Sequence, residues 1–212
     1  LSKKKPNPEA PRIVRRKKFD PYEAAARRRY LYLAVPLADE VRRSIADHVR
    51  PIRDKMSSFA WFHPTRWQIV IKRFGEMERN DAEILGNAIQ TAVSGPIPVE
   101  FRGLGATPDL REAQSLWVGI RDTKSGLKLL HREVNDATAA LGYELEDKRF
   151  RPHLPVAVLE SEQKPRPVAR ELSPVMDVLM SSTVLDEMVL YRTEAGRDGL
   201  VSVPFRRYPF GS

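Results

Sequence analysis

The sequence predicts an α+β fold of two small sheets, each backed by helices, and three observations carry that reading. Strand-like and helix-like stretches alternate as strand, helix, strand, helix, with strand pairs between and after them. Two short segments, Gln68-Ile69-Val70-Ile71 and His153-Leu154-Pro155-Val156, lie 85 positions apart and begin with a polar residue at the same offset. The 212 residues, 42% of them hydrophobic, suffice to bury a core in one domain. The expected organisation is an extension over residues 1–28 and a domain over residues 29–212.

Tyr30 to Val35 is aromatic and aliphatic and closes on Pro36, as a buried first strand should. Asp39 is the expected N-cap of an amphipathic helix on which Val41, Ile45, His48, Val49 and Ile52 recur at three-to-four spacing. Trp61-Phe62-His63-Pro64-Thr65 is turn-prone and leads into a strand from Trp67 to Phe74, ended by Gly75. A second helix is expected from near Asp81 through Ile84, Leu85, Ala88, Ile89 and Ala92 to Gly95. Val99 to Leu104 and Ser115 to Ile120 read as a strand pair, and Leu127 to Leu141 as a third helix stopped by Gly142. The strand His153 to Leu159 comes next, then a Pro-rich link and a weaker segment to Met180. Glu187 to Arg192 and Leu200 to Tyr208 close the chain, joined by a turn at Gly196 to Gly199.

Side-chain parity separates core from outward faces in the two key strands. Trp67, Ile69 and Ile71 belong to the core, so Gln68, Val70 and Lys72 should face away. In the later strand Leu154, Val156 and Val158 belong to the core, which leaves His153, Pro155 and Ala157 outward. Gln68 and His153 are thus equivalent.

Charge is distributed unevenly. Residues 1–29 hold eleven basic residues, Lys3, Lys4, Lys5, Arg12, Arg15, Arg16, Lys17, Lys18, Arg27, Arg28 and Arg29, against Glu9, Asp20 and Glu23. The rest of the chain balances 25 basic against 25 acidic residues, so the net charge of +8 belongs to residues 1–29. Such a run neutralises phosphates and favours RNA or a ribonucleoprotein as partner. A solvated linker or a targeting segment is the alternative.

Cysteine is absent, which excludes disulfides and thiolate chemistry and fits a reducing compartment. The four histidines lack metal-ligand spacing, so neither a metal nor a cofactor is expected. No apolar run approaches the ~18 residues needed to cross a bilayer, so no membrane partner is expected. The expected location is the cytoplasm, with an organellar matrix as the alternative.

Six segments in order, Trp61-Phe62-His63-Pro64, Trp67 to Glu76, Phe101 to Ala106 with Leu116 to Ile120, Leu130-His131-Arg132 with Ala140 to Tyr143, Phe150 to His153, and Val189 to Arg192, carry a resemblance. The chain resembles the 2H phosphoesterase superfamily and, within it, the RNA 2′,3′-cyclic phosphodiesterases also called 2′-5′ RNA ligases (LigT-like). The resemblance covers most of residues 29–210. It implies two pseudo-symmetric antiparallel sheets around a central cleft. It also implies a site of two histidines and two threonines, one pair on each key strand. One imidazole would take a proton from water while the other protonates the leaving ribose oxygen, and the hydroxyls would donate to phosphoryl oxygens.

Measured against that pattern, Gln68 stands for the first histidine, Val70 for the first threonine and Pro155 for the second, while His153 is retained. Glutamine exchanges no proton near neutral pH, and valine and proline offer a phosphate no donor. A lost acid or base costs ~10²–10⁴ in rate. The expectation is a degenerate scaffold that binds RNA; a divergent phosphodiesterase using His153 and a protein-binding module are the alternatives. Arg66, Lys72 and Arg73 are candidate phosphate contacts beside the cleft, and Arg206 and Arg207 are similar. His63 is a candidate replacement partner, and Trp61, Trp67 and Trp117 are read as core before they are read as base-stacking surfaces.

Overall fold

The computed structural model describes residues 30–77, 79–92, 95–143, 150–161, 163–196 and 199–211. The expected RNA-binding extension, from Lys3 to Arg29, lies outside the described residues.

Nine strands among the described residues form two antiparallel sheets. They are β1 (Tyr30–Pro36), β2 (Phe59–Trp61), β3 (Gln68–Glu76), β4 (Ile97–Thr107), β5 (Ser115–Arg121), β6 (His153–Leu159), β7 (Leu179–Leu185), β8 (Glu187–Gly196) and β9 (Gly199–Pro209). The helices are α1 (Asp39–Arg53), α2 (Arg79–Ile89), α3 (Gly126–Ala139) and the single turn α4 (Ala169–Leu172). The first sheet has the order β3-β1-β8-β9 and the second β2-β6-β5-β4-β7. Matching β3, β1, β8 and β9 with β6, β5, β4 and β7 relates the two sheets by pseudo-symmetry, and β2 is the added edge.

The apolar stripes predicted for the helices are the ones buried. Val41, Ile45, Val49 and Ile52 of α1 and Leu127, Leu130 and Val134 of α3 join strand residues such as Leu33, Ile69, Phe101 and Leu116 in one core. Asp39 is not the N-cap: Ala38 holds that position with extended backbone, and Asp39 opens the first turn beside Glu40. There its carboxylate faces the positive end of the helix, and a hydrogen bond from Arg42 holds its pKa below the usual value. Ile84, expected on the buried stripe of α2, is exposed, while Ala82, Leu85 and Ile89 are buried.

Two strands are absent from the sequence expectation. β2 is only three residues long, and β7 carries Ser181, Ser182 and Thr183 between its apolar ends. Both are edge strands, where one side of the ladder is open and polar residues are tolerated.

The parity of β3 and β6 holds for three residues and then inverts. In β3 the pairing to β1 steps from Val70 to Lys72, leaving Ile71 as an extra residue. In β6 the pairing to β5 steps from Pro155 to Ala157, leaving Val156 extra. A bulge of this kind flips every later side chain to the other face. Both bulges fall three residues after the motif position, at 68 and 153. Lys72 is therefore 3% exposed instead of facing outward, Ala157 is fully buried, and Val158, expected in the core, is 41% exposed.

A third irregularity, in β4, falls at Gly103, whose φ of +71° suits glycine. A Cβ there would lie 2.1 Å from the Met176 carbonyl oxygen, which is backbone and cannot swing aside. Gly103→Ala is expected to lower unfolding free energy by about 2–4 kcal/mol. Urea denaturation checks this, and a loss under ~0.5 kcal/mol would show that the segment around Met176 yields freely.

Candidate functional site

The two sheets meet where β3 and β6 run beside each other, with Cα atoms within 8 Å. Gln68 and His153 are the first residues of these strands. The outward faces of the two sheets thus form the walls of a cleft.

On the first wall Gln68 is half-buried, and its Nε2 donates to the Tyr32 hydroxyl. Tyr32 in turn donates to Ser202 Oγ at 2.7 Å. The Tyr32 ring stacks on Tyr191, centroids 5.5 Å apart and planes 18° from parallel. Burial, followed by the nearness of Tyr32, raises the Tyr191 pKa, so its phenol stays protonated near neutral pH. Although β3 and β9 are opposite edges of this sheet, Arg66, just ahead of β3, donates to the Leu200 carbonyl of β9 at 3.1 Å. The sheet therefore curls until its two edges approach.

The second wall carries His153, which is exposed, with Nδ1 2.8 Å from the Arg151 carbonyl oxygen. A carbonyl can only accept, so Nδ1 holds the proton and Nε2 is the basic nitrogen. The Trp117 ring stands edge-on to the imidazole at 6.1 Å and 66°. Its indole N–H donates to Thr107 Oγ1 at 3.1 Å. Only a glycine fits under this indole: a Cβ on Gly105 would lie 2.3 Å from the ring. Pro155, opposite Trp117, sits just before the bulge. β2 pairs only with Ala157 to Leu159, so proline falls where β6 lacks a neighbour on that side.

Val70 and Pro155 stand two residues along each strand, half-buried and without a side-chain donor. Lys72 is not a cleft residue: beyond the bulge its ammonium is buried against Asn135 of α3. Asn135 continues to His131, which stacks on Phe150 with centroids 4.2 Å apart. Arg73, restored by the bulge to the face of Gln68 and Val70, is exposed. Arg206 donates to Asn87 at 2.7 Å and Arg207 to Glu187 at 2.6 Å. His63 caps the short turn Pro64–Arg66, its Nδ1 2.8 Å from Thr65 Oγ1. Trp67 is core, as expected, whereas Trp117 belongs to the cleft wall. Sequence reasoning passed over Tyr32, Tyr191 and Ser202, whose juxtaposition spans up to 170 positions. Among the described residues no group of three or more His, Asp or Glu side chains could hold a metal ion. No described helix is long and apolar enough to cross a membrane.

No family model matches the chain. It is 26% identical over 170 residues to an RNA 2′,3′-cyclic phosphodiesterase of Geobacillus stearothermophilus, covering 79% of this chain and 53% of that protein. The chain thus spans about half the length of that relative. A protein of the same name from Methanothermobacter thermautotrophicus is 24% identical over 169 residues, covering 77% of this chain and 89% of the other. Among solved structures, E. coli LigT complexed with 3′-AMP superposes with a TM-score of 0.68 at 18% identity, covering 87% of this chain and 99% of that one. TT0787 of Thermus thermophilus gives 0.69 at 19%, covering 85% and 97%. At such identities the structures establish the fold, a mixed α and β architecture of two antiparallel sheets. With the sequence relatives and the paired strands at Gln68 and His153, the chain is similar to the LigT-like RNA 2′,3′-cyclic phosphodiesterases of the 2H phosphoesterase superfamily.

Proposed function

We propose that this chain is a catalytically degenerate 2H phosphoesterase that binds RNA, alone or within a ribonucleoprotein, with residues 1–29 as its cationic anchor. The observation that carries this reading is the state of the four motif positions. Gln68 is tied to Tyr32, Val70 and Pro155 present carbon, and of the four positions only His153 carries a side chain able to exchange a proton. Opening a cyclic phosphate needs one group to accept a proton and another to donate one. One imidazole cannot hold both protonation states at once.

RNA as partner rests on charge: the excess of +8 sits in one segment ahead of a neutral body. The relatives' name describes an activity on RNA and so supports RNA as the polymer. A cytoplasmic setting accords with the absence of cysteine from the sequence.

A second reading, a divergent RNA 2′,3′-cyclic phosphodiesterase, draws on one observation. His153 is oriented by the Arg151 carbonyl so that Nε2 is the available base. Turnover of a cyclic nucleotide by the wild type beside His153→Ala decides between the two. Equal rates at the buffer background are expected; a wild-type rate that collapses in the variant establishes the second reading.

A further inference from the structure

Of the edge strands among the described residues, only β7 is both long and unguarded. β2 has three residues, β3 carries Lys72, Arg73 and Glu76, and β9 carries Arg206, Arg207, Pro204 and Pro209. β7 holds neither a charge nor a proline in its seven residues, and no strand lies beyond it among the described residues. Its outward face is apolar at Leu179 and Val184, 44% and 56% exposed. Proteins usually guard such an edge, because its open N–H and C=O groups are a template for another strand.

The phase of the ladder says which groups are open. Opposed residues of an antiparallel pair alternate between exchanging two hydrogen bonds and exchanging none. Pro98, opposite Val184, has no N–H to give, so these two form a pair of the second kind. Val184 and, two residues back, Ser182 therefore turn their N–H and C=O to the open edge, while Thr183 turns its own toward Val99 of β4. Met180 is the extra residue where the pairing steps from Ser181 to Leu179, and its carbonyl accepts from Ser44 of α1 at 2.5 Å. Residues 181–185 are the stretch left open.

We propose that β7 pairs antiparallel with β7 of a second copy about a two-fold axis at Thr183, joining two five-stranded sheets into one of ten. A two-fold interface needs a patch complementary to itself, and this register supplies one. Ser182 of each copy faces Val184 of the other, and the two pairs exchange four backbone hydrogen bonds. Between them Thr183 meets its own copy in a closely spaced threonine pair, which favours pairing. Charge selects a copy over other strands. Nothing on β7 repels a second β7, Asp177 is held by Arg102 at 3.5 Å and Glu187 by Arg207 at 2.6 Å, and Asp186 would fall opposite Met180 rather than an acid. A basic strand, the chain's own extension included, would find no carboxylate on β7. The pairing goes beyond the RNA-binding reading and needs neither RNA nor residues 1–29.

Sedimentation velocity of the nuclease-treated full chain tests it. Such a ladder is a small interface, so the dimer should dominate at ~100 µM and the monomer at ~1 µM. Ser182→Pro removes an N–H that faces the open edge and not β4, and Val184→Lys sets two cations about 8 Å apart across the axis. Each should weaken association at least about tenfold with unchanged far-UV circular dichroism, whereas Leu200→Lys, on β9, should dimerise like the wild type. Because the sequence has no cysteine, single cysteines read the register. Thr183→Cys should close an intermolecular disulfide on mild oxidation, since Cα atoms of a closely spaced pair lie about 4.5 Å apart. Ser182→Cys, about 8 Å from its own copy, should not. A wild type that stays monomeric at ~100 µM, dimers that survive either edge substitution in a folded chain, dimers lost on removing residues 1–29, or equal cross-linking by the two cysteines would overturn the proposal.

Discussion

Removing residues 1–29 is expected to lower affinity for single-stranded RNA by about 10³-fold at low salt. The extension holds eleven basic and three acidic residues, and what remains carries 25 of each sign. Each phosphate neutralised on a single strand contributes about −0.7 to the slope of log K against log salt. If the eight net charges are all engaged, the wild-type slope is about −5 to −6, and the shortened chain should approach zero. Between 50 and 200 mM salt the wild type should therefore lose roughly three orders of magnitude in affinity. Filter binding across that series reads both quantities. A shortened chain that keeps the wild-type slope would move the interface to the neutral body, where Arg42 and Arg66 lie beside Gln68 and Arg73 is exposed on the same strand.

Restoring the motif is expected to restore chemistry. In the triple variant Gln68→His, Val70→Thr and Pro155→Thr, hydrolysis of a 2′,3′-cyclic nucleotide should rise at least about 10²-fold over the wild type. The backbone is prepared for it, because both strands bulge at the same offset and so present positions 68 and 70, and 153 and 155, alike. His153 already has its Nδ1 proton held by the Arg151 carbonyl. Threonine at 155 brings back both a hydroxyl and an amide donor, and β2 does not reach that position. A stable, folded triple variant without any gain would mean that something beyond these side chains keeps the cleft inactive.

The halves of the site were legible because strand parity and helical spacing follow from local residue type. Ile69 and Leu154 are buried, and Gln68 and His153 are not, as alternation requires. The bulges were not legible, since one extra residue leaves no mark in composition, and they account for the misplacement of Lys72, Ala157 and Val158. β7 escaped because an edge strand with Ser181, Ser182 and Thr183 lacks the apolar run that marks a buried one. The chain from Gln68 through Tyr32 to Ser202 depends on how far the first sheet curls, which no local pattern encodes. Trp117 shows the same limit: its apolar neighbours read as core, while its pairing opposite Pro155 puts it on the cleft wall beside His153.

Loss of the proton-transfer pair is tested most directly by phosphorus NMR of adenosine 2′,3′-cyclic monophosphate held with a stoichiometric amount of the wild-type protein. At that ratio even a very slow enzyme converts its substrate, so the reading does not depend on turnover being fast. The cyclic phosphate resonance should persist at the rate of a protein-free sample. Its replacement by a phosphomonoester resonance in the wild type, and not in His153→Ala, would contradict the account.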